Sequence, residues 1–137
     1  METIIFIGRI AFSLMFIGSG VGHLAQTADT AKVAEARGLP NATLMAQISG
    51  VCLLAGGVAV ILGIWIDLAL LLISILVLII AFLIHPFWKD SGDKQITEMS
   101  MFMKNLTIAG AAFVMFGFFG AGWNDLMITD PVFELGR

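Results

Sequence analysis

The residues of this chain able to do chemistry are few, and they cluster at the ends of four apolar runs. Arg9 lies inside the first run, His23 ends it, His85 ends the third, and Lys104 with Asn105 stands just inside the fourth. An ionisable side chain at membrane depth is expensive and marks a functional site by default. Ser19 lies one turn before His23, Gln47 starts the second run, and Phe87, Trp88 and Phe102 add aromatic surface at the same level. Hydrogen-bond donors, a fixed cation and apolar walls are what a small-ligand site between bundle helices requires. Ser19, His23, Gln47, His85, Phe87, Trp88, Phe102, Lys104 and Asn105 are therefore the candidate ligand-binding set, and His85 and Lys104 are expected within a ligand's width of each other.

Each member also has a plainer role. Lys104 is close enough to the loop to snorkel to the headgroups. Trp88 suits an interfacial anchor, and His85 beside Pro86 could bond the carbonyls freed at a helix end. Arg9 belongs elsewhere, because the fourteen residues from position 9 to 23 span about 21 Å of helix. Its expected partners at the opposite boundary are Asp67 and Asp125, or lipid headgroups, in a structural role.

The elements that position these residues follow from composition and length. Of 137 residues 59% are hydrophobic and 12% charged, against roughly 25% charged in a soluble domain. Crossing the hydrocarbon takes about 20 apolar residues in a helix. The runs at 4–23, 43–64, 66–85 and 101–123 meet that length, which predicts an all-α, four-helix transmembrane bundle forming one integral membrane domain over 1–137. Residues 28–37 of the first loop open on capping-type residues and close before Gly38 and Pro40, so a short surface helix capped by Gly38 is expected there. Asp90-Ser91-Gly92-Asp93 reads as a turn. The first run has no basic region before it and no small-residue cleavage site after it, so it is read as a retained helix and not a signal peptide.

Helices in lipid associate through small residues that allow close approach. Gly18 with Gly22, then Ala55, Ala59 and Gly63, then Gly110, Gly117 and Gly120 are the expected contacts. The third span lacks such a set of small residues and is expected to face lipid most.

Several functions are excluded or disfavoured. A net charge of −3 without a basic patch argues against nucleic acid. The single cysteine, Cys52, rules out an internal disulfide relay. No haem-attachment motif, metal-ligand spacing, nucleotide loop or nucleophile elbow is present. No covalently bound cofactor and no metal are expected, a haem held by His23 and His85 is disfavoured, and the chain has no catalytic motif of its own.

The segments Gly8-Arg9-Ile10-Ala11-Phe12, Phe16-Ile17-Gly18-Ser19-Gly20 with His23-Leu24, Gly38-Leu39-Pro40, His85-Pro86-Phe87-Trp88, and Met103-Lys104-Asn105-Leu106 with Ala109-Gly110 resemble the DoxX family. The resemblance implies a small bacterial inner-membrane protein of four helices, similar to the DoxX and DoxD group. That group includes a subunit linked to thiosulfate oxidation by quinone and a membrane partner in an oxidant-defence assembly. In the family pattern Gly-Arg opens span one and Lys-Asn opens span four, so Arg9, Lys104 and Asn105 carry over. Position 23, often lysine there, is His23 here, and a basic residue near the start of span three is replaced by Asp67.

Two functions are thus expected, alongside contact with membrane lipids and further protein subunits. In the first, the chain is a quinone-interacting subunit of a membrane oxidoreductase: His85 or His23 donates to a quinone carbonyl, Lys104 stabilises the reduced anion, and an aromatic ring stacks on the ligand. In the second it is an accessory bundle docking a larger complex. Lys32, Arg37, Lys89, Lys94 and Lys104 stand on the long-loop side against Arg9 and Arg137 on the other. That balance predicts cytoplasmic loops, with both termini outside.

Overall fold

A computed structural model describes residues 1–123 and 126–136. It is helical throughout, with no strand among the described residues. The helices are α1 (Glu2–Ala25), α2 (Thr27–Ala36), α3 (Ala42–Leu62), α4 (Ile66–Ile84) and α5 (Gly92–Gly120), with a 3-10 turn at Phe87–Lys89 before α5. The four long helices α1, α3, α4 and α5 are apolar and long enough to cross a membrane, and α2 is the surface helix expected from its start and stop signals. Gly38 ends α2 as expected: it adopts φ +74°, its N–H reaches Glu35 O at 2.8 Å and that of Leu39 reaches Ala34 O at 3.1 Å, the paired bonds of a Schellman cap.

The fourth span begins earlier than its hydropathy suggests. Ser91 caps α5 in extended conformation and the helix runs from Gly92, so the polar stretch after Asp90 is the outer end of a helix and not a loop. Apolarity marks the buried length of a helix, whereas capping marks its start.

Packing follows small residues, although not all those expected. α1 packs most extensively on α3, and α4 on α5. A Cβ on Gly20 would stand 2.6 Å from Leu54 N and 2.8 Å from Gly50 O, and one on Gly57 would meet Ile17 and Phe16, so α1 and α3 run antiparallel with backbones nearly touching. Gly18, Gly22, Gly110 and Gly117 face open space instead. Replacing Gly20 by alanine is accordingly expected to destabilise the bundle by about 1–3 kcal/mol through overpacking against backbone. Gly18→Ala should cost nothing comparable. Denaturant titration of both variants in detergent checks the contrast.

The third span is the most buried of the four and not the one that faces lipid most. α4 carries eight buried residues, against six each on α3 and α5. Ile66, Leu70, Ile73, Val77 and Ala81 recur at helical spacing on one face, and Ser74 in their midst donates to Ala109 O of α5 at 2.9 Å. Alanines and Ser74 supply the close approach that glycine supplies elsewhere, while Ile73 fills the space beside Gly56 of α3.

After α5 the chain folds back across the bundle end opposite α2. Ile128 and Thr129 donate to Gly63 O at 3.1 and 3.2 Å, and Leu135 donates to Gly120 O at 2.8 Å. Trp65 N–H donates to Thr129 Oγ1 at 2.7 Å. This tail is what Arg9 and Asp67 hold.

Candidate functional site

At the α2 end of the bundle, α1, α2, α3 and α4 leave a cavity of about 560 Å³, within the range of small-ligand sites. Its walls are apolar: Val33 and Ala34 of α2, Met45 and Ile48 of α3, and Leu76, Ile79, Ile80 and Leu83 of α4. Against them stand a few polar side chains, namely His23, Ser49, His85, Asp29 and Thr30. His23 and His85, which end α1 and α4, therefore share one space, as their common boundary suggests.

Both rings are anchored through the same atom. His23 Nδ1 lies 2.8 Å from Ser49 Oγ, and Ser49 Oγ donates to Ala46 O at 3.0 Å. His85 Nδ1 lies 2.7 Å from Glu98 Oε2. Glu98 Oε1 in turn meets Arg37 Nη2 at 3.1 Å, and Arg37 Nη1 meets Asp90 Oδ2 at 2.8 Å. Asp90 Oδ1 takes Lys94 Nζ at 2.8 Å. The hydrogen bond from Lys94 is the largest influence on the Asp90 carboxyl; burial opposes it, and the hydrogen bond and charge of Arg37, added to it, hold the group below the usual carboxylate range.

Arg37 makes α2 a roof. It is the C-cap of α2, and its Nε donates to Ile84 O at 2.8 Å, supplying the bond that a carbonyl in the last turn of α4 lacks. One side chain thereby ties the end of α2 to the end of α4 and the start of α5. His85 does not cap α4 with its ring; the ring is committed to Glu98.

The remaining candidates lie outside the cavity lining. Phe87, Trp88 and Phe102 form an aromatic cluster with Phe82, ring centroids 5.1–6.2 Å apart, which fastens the 3-10 turn to α4 and α5. Lys104 is exposed on α5, its Nζ 3.4 Å from Met101 Sδ, and does not reach the cavity. The expected meeting of His85 with Lys104 is replaced by one with Glu98 and Arg37, because α5 starts nine residues early and presents its first turns, not residue 104, to His85. Asn105 is buried, Ser19 half-buried and Gln47 exposed, and none of the three lines the cavity. Sequence reasoning missed Arg37, Ser49, Asp90 and Glu98. The i,i+4 spacing of Asp90 with Lys94 and the position of Arg37 just before Gly38 were the available signals.

At the opposite end Arg9 is 1% exposed and meets neither headgroups nor Asp67. Its Nε, Nη1 and Nη2 donate to Val60 O, Leu126 O and Ile61 O at 2.9, 2.8 and 2.7 Å. The carbonyls of Val60 and Ile61 belong to the last turn of α3, where acceptors lack helical partners and the helix dipole is negative. Gly63, at φ +67°, leaves room for the guanidinium, since a Cβ there would lie 2.7 Å from Nη2. Asp67 accepts Val132 N–H at 3.0 Å and Phe133 N–H at 2.6 Å. Asp125, the other expected partner of Arg9, falls outside the described residues.

Among the described residues no three His, Cys, Asp or Glu side chains converge as a metal site, and Cys52 is exposed.

The DoxX family model matches residues 4–86. The chain belongs to the DoxX family. With four apolar helices of spanning length, this DoxX protein is a multi-pass membrane protein whose outer helix faces meet lipid. No curated protein and no solved structure matches it. The match covers Arg9, His23, Arg37, Ser49 and His85 and ends at Pro86, so Glu98, Lys104 and Asn105 lie beyond it.

Proposed function

We propose that this DoxX protein is the quinone-interacting membrane subunit of a bacterial oxidoreductase complex, and that the cavity beneath α2 receives the quinone ring. The observation that carries this reading is the pairing of two anchored imidazoles, His23 and His85, in an otherwise apolar cavity of about 560 Å³. A planar ring with a polar oxygen at each end suits such walls. Arg37 acts on His85 through Glu98, in place of Lys104. The sequence carries no redox-cofactor motif, so electrons are exchanged with a partner subunit that holds one. The inner membrane is the location that family membership suggests, and the excess of Lys and Arg beside α2 favours that end in the cytoplasm.

The alternative, an accessory bundle without a ligand, draws on Gly18, Gly22, Gly110 and Gly117, which leave helix faces open to a partner helix. Binding separates the two. The full chain in nanodiscs should bind a decyl-benzoquinone analogue above its partition into protein-free discs. His85→Ala should weaken binding of the reduced, hydroquinone form of that analogue roughly tenfold, the worth of one buried hydrogen bond, and Lys104→Met should leave it unchanged. Binding no greater than lipid partition, or a His85→Ala variant indistinguishable from the parent, would sink the quinone reading and leave the accessory one.

A further inference from the structure

We infer that the cavity selects a ligand presenting two hydroxyl donors, the reduced hydroquinone form in preference to the quinone, because both histidines are held as hydrogen-bond acceptors. This rests on the quinone reading above and adds to it which redox form the site is built for.

The tautomers follow from counting protons. Ser49 has one hydroxyl proton, and its oxygen lies 3.0 Å from Ala46 O, which has only lone pairs to offer. Two oxygens at that distance repel unless the proton lies between them, so the Ser49 hydroxyl donates to Ala46 and turns a lone pair to His23 Nδ1, 2.8 Å away. The proton of that contact therefore belongs to His23 Nδ1.

The same holds at His85 by a different route. Glu98, ion-paired through Oε1 with Arg37 at 3.1 Å, is an acceptor only. Its Oε2 lies 2.7 Å from His85 Nδ1, so that nitrogen carries the hydrogen. A neutral imidazole has one N–H, and in both rings it is spent on the protein. What each ring has left for a ligand is the lone pair of Nε2.

A quinone carbonyl also offers lone pairs, so it finds no donor at either histidine while they are neutral. A hydroquinone finds an acceptor for each of its hydroxyls. Ser49 and Glu98 are thus positioning residues: they act on the ligand through the tautomer each imposes, and Arg37 acts one step further out by orienting Glu98.

The test compares both redox forms on one protein. The full chain in nanodiscs is titrated anaerobically with decyl-benzoquinone and with its dithionite-reduced hydroquinone, at about pH 8, above the ordinary imidazole range. The parent should bind the hydroquinone about tenfold more tightly, the scale set by one unpaired buried polar group. Glu98→Gln puts an amide N–H donor within reach of Nδ1, which releases His85 to carry its hydrogen on Nε2. That variant should bring the two affinities close together. Ser49→Ala removes the acceptor that fixes His23 and should lower the ratio through a residue outside the Arg37 network, so the inference does not hang on one variant folding. Equal affinities in the parent, or a ratio unmoved in both variants, would overturn the tautomer argument while leaving a quinone-class site. Binding of neither form above lipid partition, or a Soret band from haem held by the two imidazoles, would overturn the quinone reading itself.

Discussion

Replacing Arg9 by leucine is expected to destabilise the bundle by about 3–5 kcal/mol, the range seen when one member of a buried charged arrangement is deleted. The guanidinium joins three pieces of chain: α1, which carries it, the last turn of α3 through Val60 and Ile61, and the returning tail through Leu126. Each hydrogen bond from a charged donor contributes on the order of 1.5–3 kcal/mol, and the three are not additive because one side chain makes them all. Deletion leaves the α3 carbonyls without donors where water cannot replace them. Arg9→Lys should recover only part of the loss, since a single ammonium cannot present three donors in the fork these carbonyls require. Unfolding of both variants in mixed micelles, followed by circular dichroism, measures the effect. A leucine variant within about 1 kcal/mol of the parent would remove Arg9 from its structural role, since an idle surface charge costs no more than that.

The contrast between the two ends shows what a sequence of this kind discloses. Span number, the helix at 27–36 and its Gly38 cap were legible, because a run of apolar residues and a glycine at φ +74° each answer a local constraint. So was the separation of Arg9 from His23, fixed by helical rise alone. The identity of partners was not. Arg9 and Asp67 carry opposite charges at one boundary, yet each satisfies backbone groups instead, and no count of charges distinguishes a carboxylate from a helix-end carbonyl as acceptor. Glycine spacing likewise marked Gly18 and Gly110, which face open space, and passed over α4, where Ala69, Ser74 and Ala81 do the packing.

The candidate site was half visible for a related reason. His23 and His85 stand out because they interrupt apolar runs, whereas Arg37, Asp90 and Glu98 lie among other polar residues, where a solvated role is the ordinary one. Their convergence depends on α5 beginning at Gly92 and on α2 folding over α3. Neither is set by hydropathy, so Lys104, the cation inside the apolar run, drew the role that we propose for Arg37 outside it.

Arg37 yields the second large effect, in the mobility of the roof over the cavity. Arg37→Met keeps the apolar stem and removes three contacts, to Ile84 O, Asp90 and Glu98. α2 then keeps its apolar footing on α3 and α1 and, at its start, the hydrogen bonds of Thr27 to His23 O and Leu24 O, so its amides should exchange hydrogen roughly tenfold to a hundredfold faster while those of α3 and α4 change little, as expected of a local opening. Acid should act on the same clasp. The carboxyl of Asp90 is held low by Lys94 first and by Arg37 next, so its contribution is present above the ordinary carboxylate value of about 3.9. It is lost only as pH falls through the depressed folded value. In the parent, α2 protection should therefore persist through mildly acidic conditions and fail below the ordinary range. Without Arg37, Asp90 no longer touches α2, so the acid step should vanish from α2 and its exchange should stay fast across the range. Hydrogen exchange of residues 27–36 across the acid range, in parent and variant, resolves both effects. Equal protection of α2 in the two proteins would show that this helix is held by packing alone and that Arg37 does not fasten it.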